Sequence, residues 1–408
     1  MGNNSHKPAI RFQGFTDAWE QRKLGDISDS YSGGTPTVGE TEYYGGDIPF
    51  IRSAEINSDS TELFLTTEGL NNSSAKMVKK GDILYALYGA TSGETGLAQI
   101  DGAINQAILD IKPHEGYVAS FIMYWLRKSK KNIIGTFLQG GQGNLSGNIV
   151  TSLMIDCPNY EEQKKIGKLL MSLDNLITLH QRKYEKLITV KKSMLDKMFP
   201  RDGSNNPEIR FIGFTDPWEQ CKLNSLMNFS NGFNGSSDLY GDGVPYISVM
   251  DILNNDLITY ECIRGKVAID EKTLSRFSVD YGDVLFQRSS ENVEDAGSSN
   301  VYIGKKTVAF GGFVIRGKKQ VDYDVCFMKN MLDSKAVRNQ ITSKAQGAQH
   351  INVSQETLSD VIVFMPSIAE QRSIGQLFFN ISKSITLHQL KLEKLKNIKQ
   401  SLLQNMFV

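Results

Sequence analysis

The sequence predicts an α+β fold in which two pseudo-twofold-related domains are separated by two long antiparallel coiled-coil helices. The first observation behind this prediction is an internal repeat. RFQGFTDAWEQRKL at 11–24 returns as RFIGFTDPWEQCKL at 210–223, with 11 of 14 positions identical. The second is a gapless alignment of 162–199 on 370–407, in which 19 of 38 positions are identical. Such self-similarity indicates a duplicated structural unit rather than a single domain of 408 residues.

The two halves agree closely at these segments and diverge between them, which divides the chain into variable and constant blocks. The variable blocks carry the predicted domains, and the constant blocks carry the predicted helices. The boundaries that follow are 1–158 for the first domain, 159–200 for the first helix, 201–366 for the second domain and 367–408 for the second helix.

Each constant block is predicted to form one long amphipathic helix, because apolar residues recur at alternating spacings of four and three, the seam of a coiled coil. NYEE (159–162) and SIAE (367–370) have the spacing of N-terminal caps, and PRDGSNNP (200–207) would end the first helix. The simplest partner for each seam is the other helix of the same chain. The seam residues that we expect to make this contact are Ile166, Leu173, Ile177, His180, Leu187, Ile374, Ile381, Ile385, His388 and Leu395.

Two polar positions recur within this seam. His180 aligns with His388, and Lys191 aligns with Lys399. Polar residues at seam positions commonly fix the register of the helices, and lysine side chains can extend to the surface from such positions. We therefore interpret all four as structural rather than as metal ligands or catalytic groups. The helices are also basic, which fits either a solvated face or a surface near a polyanion.

Both variable blocks are predicted to be mixed α+β domains. Short β-type runs such as IPFIR (48–52) alternate with loops rich in Gly, Asn and Ser. TVAFGGFVIRG (307–317) is predicted as one strand, and YDVCFMKNMLDSKAVRNQI (323–341) as a helix. A glycine- and amide-rich loop follows in each half, QGGQGNLSGN (139–148) and AQGAQHINVS (345–354). Such side chains can reach base edges while glycine permits close backbone approach, but the same residues also form ordinary turns.

Composition and motifs argue against several classes of protein. Formal net charge is zero, from 45 basic and 45 acidic residues, whereas many nucleic-acid binders are basic. The four cysteines form no C-x-x-C pair and the five histidines show no ligand spacing, so we expect neither a metal site nor a disulfide framework. GFVIRGKK (312–319) lacks the Ser or Thr of a phosphate-binding loop, and we find no catalytic motif. No segment predicts a membrane span or a signal peptide, and a cytoplasmic protein is expected.

The ordered set of segments resembles one family, the specificity (S) subunits of type I restriction–modification enzymes. The resemblance rests on the tandem layout, on W-E-Q-x-K-L near the start of each half, and on SGGTP (32–36) followed by a Y-x-G-x-I-P-F-I pattern (44–51). It also rests on the GDILYAL and GATSG segments (81–93) and on PNYEEQKKI and PSIAEQRSI, which open the two long helices. No single motif is diagnostic, but the ordered set occurs twice and spans nearly the whole chain.

The resemblance implies a non-enzymatic DNA reader with two target-recognition domains. Each domain would bind one half of a split site on double-stranded DNA, and the helices would set the unspecified gap between the halves. Two methylation (M) subunits would dock on the helices, and restriction (R) subunits would join to cleave unmethylated DNA. S-adenosylmethionine, ATP and Mg²⁺ would be bound by these partner subunits, and no cofactor by this chain.

Positions that differ between the two target-recognition domains are the candidates for reading different bases. Arg52 in the first domain, for example, aligns with Ser248 in the second. The candidate DNA-binding residues are Arg52, Gln142 and Asn144 in the first domain and Arg288, Gln349 and His350 in the second. An ordinary loop role is open for each of them from the sequence alone.

Two other functions are compatible with parts of the sequence. A self-sufficient nuclease or methyltransferase fused to a recognition domain would need catalytic motifs that we do not find. A coiled-coil scaffold that never contacts DNA would keep the helices but would have no use for divergent recognition loops. Exchange of residues 1–158 for another variable block separates a scaffold from a DNA reader, because only a reader would then change the half-site that is methylated.

Overall fold

A computed structural model describes residues 6–137, 144–201, 204–345, 347 and 351–408. The chain divides into two compact units. The first unit comprises residues 1–180 together with 391–408, and the second unit comprises residues 181–390. Each of the two long helices therefore contributes residues to both units.

The first unit is a mixed α+β structure. Its strands are β1 (Glu20–Lys23), β2 (Ser28–Ser32), β3 (Tyr44–Ile51), β4 (Phe64–Leu65), β5 (Lys76–Val78), β6 (Ile83–Ala86), β7 (Thr95–Leu97), β8 (Gly102–Ile104), β9 (Ile108–Pro113) and β10 (Met154–Cys157). Its helices are α1 (Thr67–Asn71), α2 (Ala119–Phe137), α3 (Gly147–Thr151) and the first part of α4 (Tyr160–Lys197). One sheet has the strand order β2-β9-β6-β7 and another has the order β4-β3-β8-β5, while β1 pairs with β10.

The second unit contains the same kinds of element. Its strands are β11 (Glu219–Lys222), β12 (Met227–Asn231), β13 (Tyr240–Ile247), β14 (Lys266–Val267), β15 (Ser278–Val279), β16 (Val284–Gln287), β17 (Ser289–Ser290), β18 (Ser299–Val301), β19 (Val308–Phe310), β20 (Val314–Lys319), β21 (Ile351–Asn352) and β22 (Ile362–Met365). Its helices are α5 (Val249–Leu253), α6 (Glu271–Arg276), α7 (Val325–Asp333), α8 (Lys335–Ser343), α9 (Gln355–Ser359), the first part of α10 (Ile368–Asn405) and the last part of α4, while the last part of α10 belongs to the first unit.

Three sheets of the second unit repeat those of the first, and a short β17–β21 pair is added to them. Their strand orders are β12-β20-β16-β18 and β14-β13-β19-β15, with the β11–β22 pair in the place of β1–β10. In each unit one pairing is parallel at the equivalent place, β3 with β8 and β13 with β19. The strands β6 and β16 are buried along their whole lengths, as expected for interior strands covered on both faces. The duplication seen in the sequence is therefore a duplication of sheet topology.

The long helices α4 and α10 run antiparallel within the first unit. Asp174 of α4 lies 2.5 Å from Lys399 of α10, measured from carboxylate to ammonium. Nearer the start of α4, Ile166 shares a buried core with Met406 at the end of α10. Residue numbers therefore rise along one helix as they fall along the other.

The same arrangement holds within the second unit. Lys191 of α4 donates to the hydroxyl of Ser382 on α10 at 2.8 Å. Phe199, just beyond the end of α4, has its ring centroid 5.8 Å from that of Phe378. The predicted antiparallel pairing of the two helices is therefore confirmed in each unit.

Both helices begin at the predicted caps. Asn159 accepts a hydrogen bond from the backbone N–H of Glu162 at 3.0 Å, and Ser367 accepts one from Glu370 at 3.4 Å. These bonds satisfy one of the N–H groups that have no partner in the first turn of a helix. The helices therefore begin at Tyr160 and Ile368.

Two predictions for the second half are wrong in detail. The segment 307–317 forms two strands rather than one, because a turn at Gly311 separates β19 from β20, with the Val314 N–H donating to the Gly311 carbonyl at 2.9 Å. The predicted helix at 323–341 is divided into α7 and α8 by Ser334, whose backbone is extended (φ −62°, ψ 147°).

The repeated phrase ties the start of each long helix to the domain beside it. Arg11 of the first copy forms two hydrogen bonds with the carboxylate of Glu162, at 2.9 and 2.6 Å. Arg210 of the second copy binds Glu370 in the same way, at 2.8 and 2.7 Å. Both glutamates are almost fully buried, so each joint holds a desolvated, two-pronged ion pair.

The phrase also contacts the end of the other long helix. In the first unit the N–H of Ile10, the residue directly before the phrase, donates to the carbonyl of Asn405 at 2.9 Å, and Trp19 of the phrase packs edge-on against Phe407. In the second unit Trp218 packs edge-on against Phe199, with ring centroids 6.1 Å apart. Each copy of the phrase therefore lies where the start of one helix meets the end of the other.

The glutamine that follows each buried glutamate completes the joint. Gln163 donates to the carbonyl of Pro158 at 2.8 Å and accepts from the N–H of Val118 at 3.0 Å. Gln371 makes the same pair of bonds, with Pro366 and Asp324. At the start of each helix, the buried glutamate carboxylate is thus paired with an arginine, and both polar atoms of the buried glutamine amide have hydrogen-bond partners.

Candidate nucleic-acid interface

In each unit, two backbone hydrogen bonds join three segments that are distant in sequence. In the first unit the N–H of Leu87 donates to the carbonyl of Ala107 at 2.8 Å, and the N–H of Leu145 donates to the carbonyl of Leu87 at 3.0 Å. We call the surface formed by Leu87, Ala107 and Leu145, with the residues next to them in sequence, the first platform. It brings together the end of β6, the β8–β9 turn and the end of the glycine- and amide-rich loop.

The second unit contains an equivalent surface, built by the same bonds. The N–H of Arg288 donates to the carbonyl of Phe313 at 2.9 Å, and the N–H of Val353 donates to the carbonyl of Arg288 at 2.9 Å. We call Arg288, Phe313 and Val353, with their neighbours in sequence, the second platform. Because backbone groups make these bonds, the platforms can keep one geometry while their side chains change.

The side chains of the two platforms differ strongly. Leu87 of the first is buried, whereas the aligned Arg288 of the second is exposed. Ala107 is replaced by Phe313, whose surface is 70% exposed. The second platform therefore presents an exposed cation and an exposed aromatic side chain on two backbone segments that are hydrogen-bonded to each other. Differing side chains on one shared backbone are what two readers of different base sequences require.

A cleft of about 680 Å³ lies against the second platform. Its lining includes Ser248, Met250, Gln287, Ser289 and Phe313, so the segment after β13 faces the ends of β16 and of the β19–β20 turn. Met250 is 62% exposed. Sequence reasoning missed both Met250 and Phe313. The signal for Phe313 was the Gly-Gly pair directly before it, which marks a turn within an apolar run.

Arg52 is bound within its own unit. Its guanidinium donates to Glu55 at 2.7 and 3.1 Å and to Glu62 at 2.6 Å. The hydrogen bonds from Arg52 lower the pKa of Glu55 to about 2. A base could be read by Arg52 only after these carboxylates were displaced. Its aligned residue Ser248 has a related local role, because its N–H and its hydroxyl both bind Asp251.

The remaining candidate readers fall partly on described residues. Asn144 is exposed, and it forms a β-bridge with Tyr88 on the first platform. Arg288 is exposed on the second platform, with one guanidinium nitrogen 3.5 Å from the carbonyl of Gly312. Gln142, Gln349 and His350 lie outside the described residues. A DNA-contacting role remains a prediction for all of these side chains.

The seam residues lie on the inward side of the two long helices. Ile166, Leu173, Ile374 and Ile381 are buried, and Ile177, His180, Leu187, Ile385, His388 and Leu395 are half-buried. Apolar residues just outside the seam, Leu176 and Leu179 on α4 and Leu387 and Leu390 on α10, are exposed. The surface that contacts the other helix is therefore narrow, as in a coiled coil.

At one buried position, the aligned side chains of the two units carry ionisable groups of opposite charge. Asp110 on β9 is fully buried, and burial raises its pKa to about 6, although the ammonium of Lys112 lies 3.5 Å away. Arg316 on β20 aligns with Asp110, and burial lowers the pKa of its guanidinium. Both groups lie inside their sheets, so we interpret them as structural rather than as part of the platforms.

The described residues contain neither a metal-binding cluster nor a membrane-spanning helix. Across residues 6–137, 144–201, 204–345, 347 and 351–408, no cluster of three or more His, Cys, Asp or Glu side chains is placed to hold a metal ion. In the same part of the chain, no helix combines the length and the apolar character that crossing a membrane requires.

A family model and two known relatives that match this chain belong to one family. The model of the type I restriction modification DNA specificity domain matches residues 16–189 and again residues 215–397. The type I restriction enzyme MjaIX specificity subunit of Methanocaldococcus jannaschii is 24% identical over 298 residues, which cover 68% of each chain. The MjaVIII specificity subunit of the same organism is 20% identical over 94% of this chain and 91% of the relative.

A solved structure has the same fold. The S subunit of the type I restriction–modification system of M. genitalium superposes with a TM-score of 0.63 at 16% sequence identity, covering 98% of this chain and 99% of that chain. The resemblance noted from the sequence is therefore confirmed by the family model and, for the fold, by this structure. With two consecutive matches that together span most of its length, the chain belongs to the family of type I restriction–modification specificity subunits, the proteins that supply DNA sequence specificity.

Proposed function

We propose that each platform, with the residues around it, reads one half of a split site on double-stranded DNA. The observation that supports this most directly is that the two platforms share the same backbone hydrogen bonds but carry different side chains. Identical hydrogen bonds hold Leu87 beside Ala107 and Arg288 beside Phe313. A purely structural role does not explain why the backbone geometry is shared while leucine in one unit corresponds to arginine in the other, and alanine to phenylalanine.

The two long helices set the length of the unspecified gap in this proposal. Each contains 38 residues and is therefore roughly 57 Å long at about 1.5 Å per residue. B-DNA advances about 3.4 Å per base pair along its axis. A rod of this length suits half-sites on successive turns of the double helix.

The helices also offer a duplicated surface for partner subunits. Met171 on α4 aligns with Phe379 on α10, and Leu179 aligns with Leu387. All four side chains are exposed. Apolar groups exposed at equivalent places favour docking of two copies of one partner, and the methylation subunits fit that role. Restriction subunits then join the complex to cleave unmethylated DNA.

The chain acts without chemistry of its own in this proposal. S-adenosylmethionine, ATP and Mg²⁺ belong to the partner subunits, and this chain binds no cofactor. The choice of DNA sequence by this chain decides where the partners act. A chain that methylated DNA after purification without partners would contradict this division of labour.

Domain exchange tests the proposal. Residues 1–158 are replaced by the matching block of a relative, and the methylated motif is determined by sequencing DNA from cells that carry the complex. We expect one half of the motif to change and the other half and the gap to stay the same. An unchanged motif would favour the alternative function, a coiled-coil scaffold without DNA readout.

The docking surfaces have a separate test. Met171→Glu in the complex with methylation subunits should leave one methylation subunit bound instead of two, as measured by native mass spectrometry. Phe379→Glu should have the same effect, and the double variant should bind none. Ile212→Ala is a suitable control, because Ile212 is fully exposed and lies outside the long helices. Two bound subunits in the double variant would place the docking surface elsewhere.

A further inference from the structure

The second platform and the cleft beside it carry two large, solvent-exposed apolar side chains that the first unit lacks at the aligned positions. Phe313 is 70% exposed and Met250 is 62% exposed, and both line the same cleft. The aligned residues of the first unit are Ala107 and Ala54. Large apolar groups that are exposed together in a cleft usually mark a place where a partner removes them from water.

The backbone holds Phe313 at the tip of a turn. The Gly311 N–H donates to the carbonyl of Ile247, and the Gly311 carbonyl accepts from Val314, both at 2.9 Å. A side chain at Gly312 would come within about 3.1 Å of Asn234, so glycine allows this turn to lie close against its neighbour. With its carbonyl bound to Arg288, Phe313 is fixed as a projection rather than free to fold into the core.

The cleft beside this projection has a mixed lining. Ser248, Ser289, Ser290 and Glu291 line it together with Tyr240, Tyr246 and Val249, and the exposed Arg288 lies on the adjoining backbone segment. A DNA major groove matches such a mixed lining, because it combines phosphates and polar base edges with one apolar feature, the C5-methyl group of thymine. The DNA-reading function proposed above therefore favours DNA as the occupant of this cleft, and docking of another protein is an outcome that the test below separates from it.

We propose that Phe313 and Met250 make the second platform a reader of thymine, through contact with its C5-methyl group. The inference rests on the DNA-reading function proposed above and assigns a base to part of the second half-site. The first platform, with Ala107 and Ala54 at these positions, does not depend on a methyl group there. The exposed guanidinium of Arg288, on the adjoining backbone segment, would bind a phosphate or a guanine edge.

The experiment uses the chain in its complex with methylation subunits and the motif determined by methylation sequencing. Each thymine of the duplex is replaced in turn by deoxyuridine, which keeps base pairing and lacks only the methyl group. Fluorescence anisotropy then gives the affinity for each duplex. Loss of one buried methyl group should weaken binding about fourfold. We expect this effect at one or two thymines, all within the half-site that exchange of residues 201–366 alters.

Variants connect the effect to the two side chains. Phe313→Ala combined with Met250→Ala should weaken binding to the thymine duplex and make binding indifferent to deoxyuridine. Ile212→Ala, a change at an exposed residue outside the cleft, should keep the full sensitivity. The altered residues are exposed, so the double variant should unfold at the temperature of the parent chain.

Several results would overturn the assignment. These are a second half-site without thymine, full tolerance of deoxyuridine, sensitivity confined to the first half-site, or unchanged sensitivity in the double variant. A protein-docking role for Phe313 would appear as this last result together with loss of a bound subunit. In all of these cases the complex still prefers its motif. Failure of the proposed function itself is distinguishable, because it would remove any preference for the motif over unrelated DNA.

Discussion

Removing the arginine of one joint should destabilise one unit selectively. Arg11→Ala takes away both hydrogen bonds to Glu162 and leaves that carboxylate fully buried without a cation. Breaking a buried pair in this way costs about 3–5 kcal/mol. A domain of this size has on the order of 5–15 kcal/mol of stability in total, so the loss is a large fraction of it.

Hydrogen exchange followed by mass spectrometry measures this loss of stability for each unit separately. In Arg11→Ala, peptides from residues 6–137 should lose protection, while peptides from 204–345 should change little. Arg210→Ala, the matched change in the other joint, should show the reverse pattern. The control is Arg22→Ala, because the Arg22–Glu20 pair is exposed and pairs of this kind contribute little to stability.

A double substitution isolates the buried charge. Arg11→Met with Glu162→Leu replaces the pair by apolar groups, and it should recover most of the stability lost in Arg11→Ala, since no unpaired charge remains. A loss of stability in Arg11→Ala as small as that in Arg22→Ala would refute the account of the joint. Equal loss of protection in both units would refute its local character.

Three further perturbations follow from the structure. Gly167→Ala should destabilise the first unit by about 2 kcal/mol, because the added methyl group collides with Ser120. Gly135→Ala is the control and should be neutral or stabilising, because no atom lies near the added methyl group. The midpoint of thermal unfolding of each variant, compared with that of the parent chain, measures the difference. Asp110 has a folded pKa of about 6, above its ordinary 3.8, so its contribution to stability is present below about pH 4 and is lost as the pH rises through 6. Asp110→Asn should therefore raise stability at pH 7 by about 2 kcal/mol and flatten the profile from pH 4 to 6.5 in urea titrations; an unchanged profile would contradict this. Arg52→Ala should raise the pKa of Glu55 from about 2 toward its ordinary 4.5, as measured by NMR titration, and a carboxyl pKa that stayed near 2 would show that other groups hold it down.

The frame of the molecule was accessible from the sequence because it is local or repeated. The four–three spacing predicted the long helices, and the Asn159 and Ser367 caps lie where NYEE and SIAE predicted them. The two sheets recur because the repeat runs through both halves. These features depend on residues within about one helical turn of each other, or on comparison of the chain with itself.

The recognition surface was less accessible, because it is built from distant segments. The bond from Leu145 to Leu87 joins residues whose own side chains carry no signal for it. The Arg52 guanidinium is bound by Glu62, ten positions away, and this pairing depends on how β3 and β4 meet. The sequence predicted Phe313 inside a strand, because the apolar residues of 307–317 indicate one continuous strand. The Gly-Gly pair before Phe313 is the signal for a turn, and the prediction gave it less weight than the apolar residues.

The central claim is that each platform reads its own half of the DNA site. The most direct test gives the second platform the side chains of the first, by Arg288→Leu and Phe313→Ala, and determines the methylated motif in cells by sequencing. We predict that the half-site which depends on residues 201–366 becomes altered or degenerate, while the other half-site and the gap between them stay as in the parent chain. A motif that is unchanged throughout, or altered in both halves, would contradict the account.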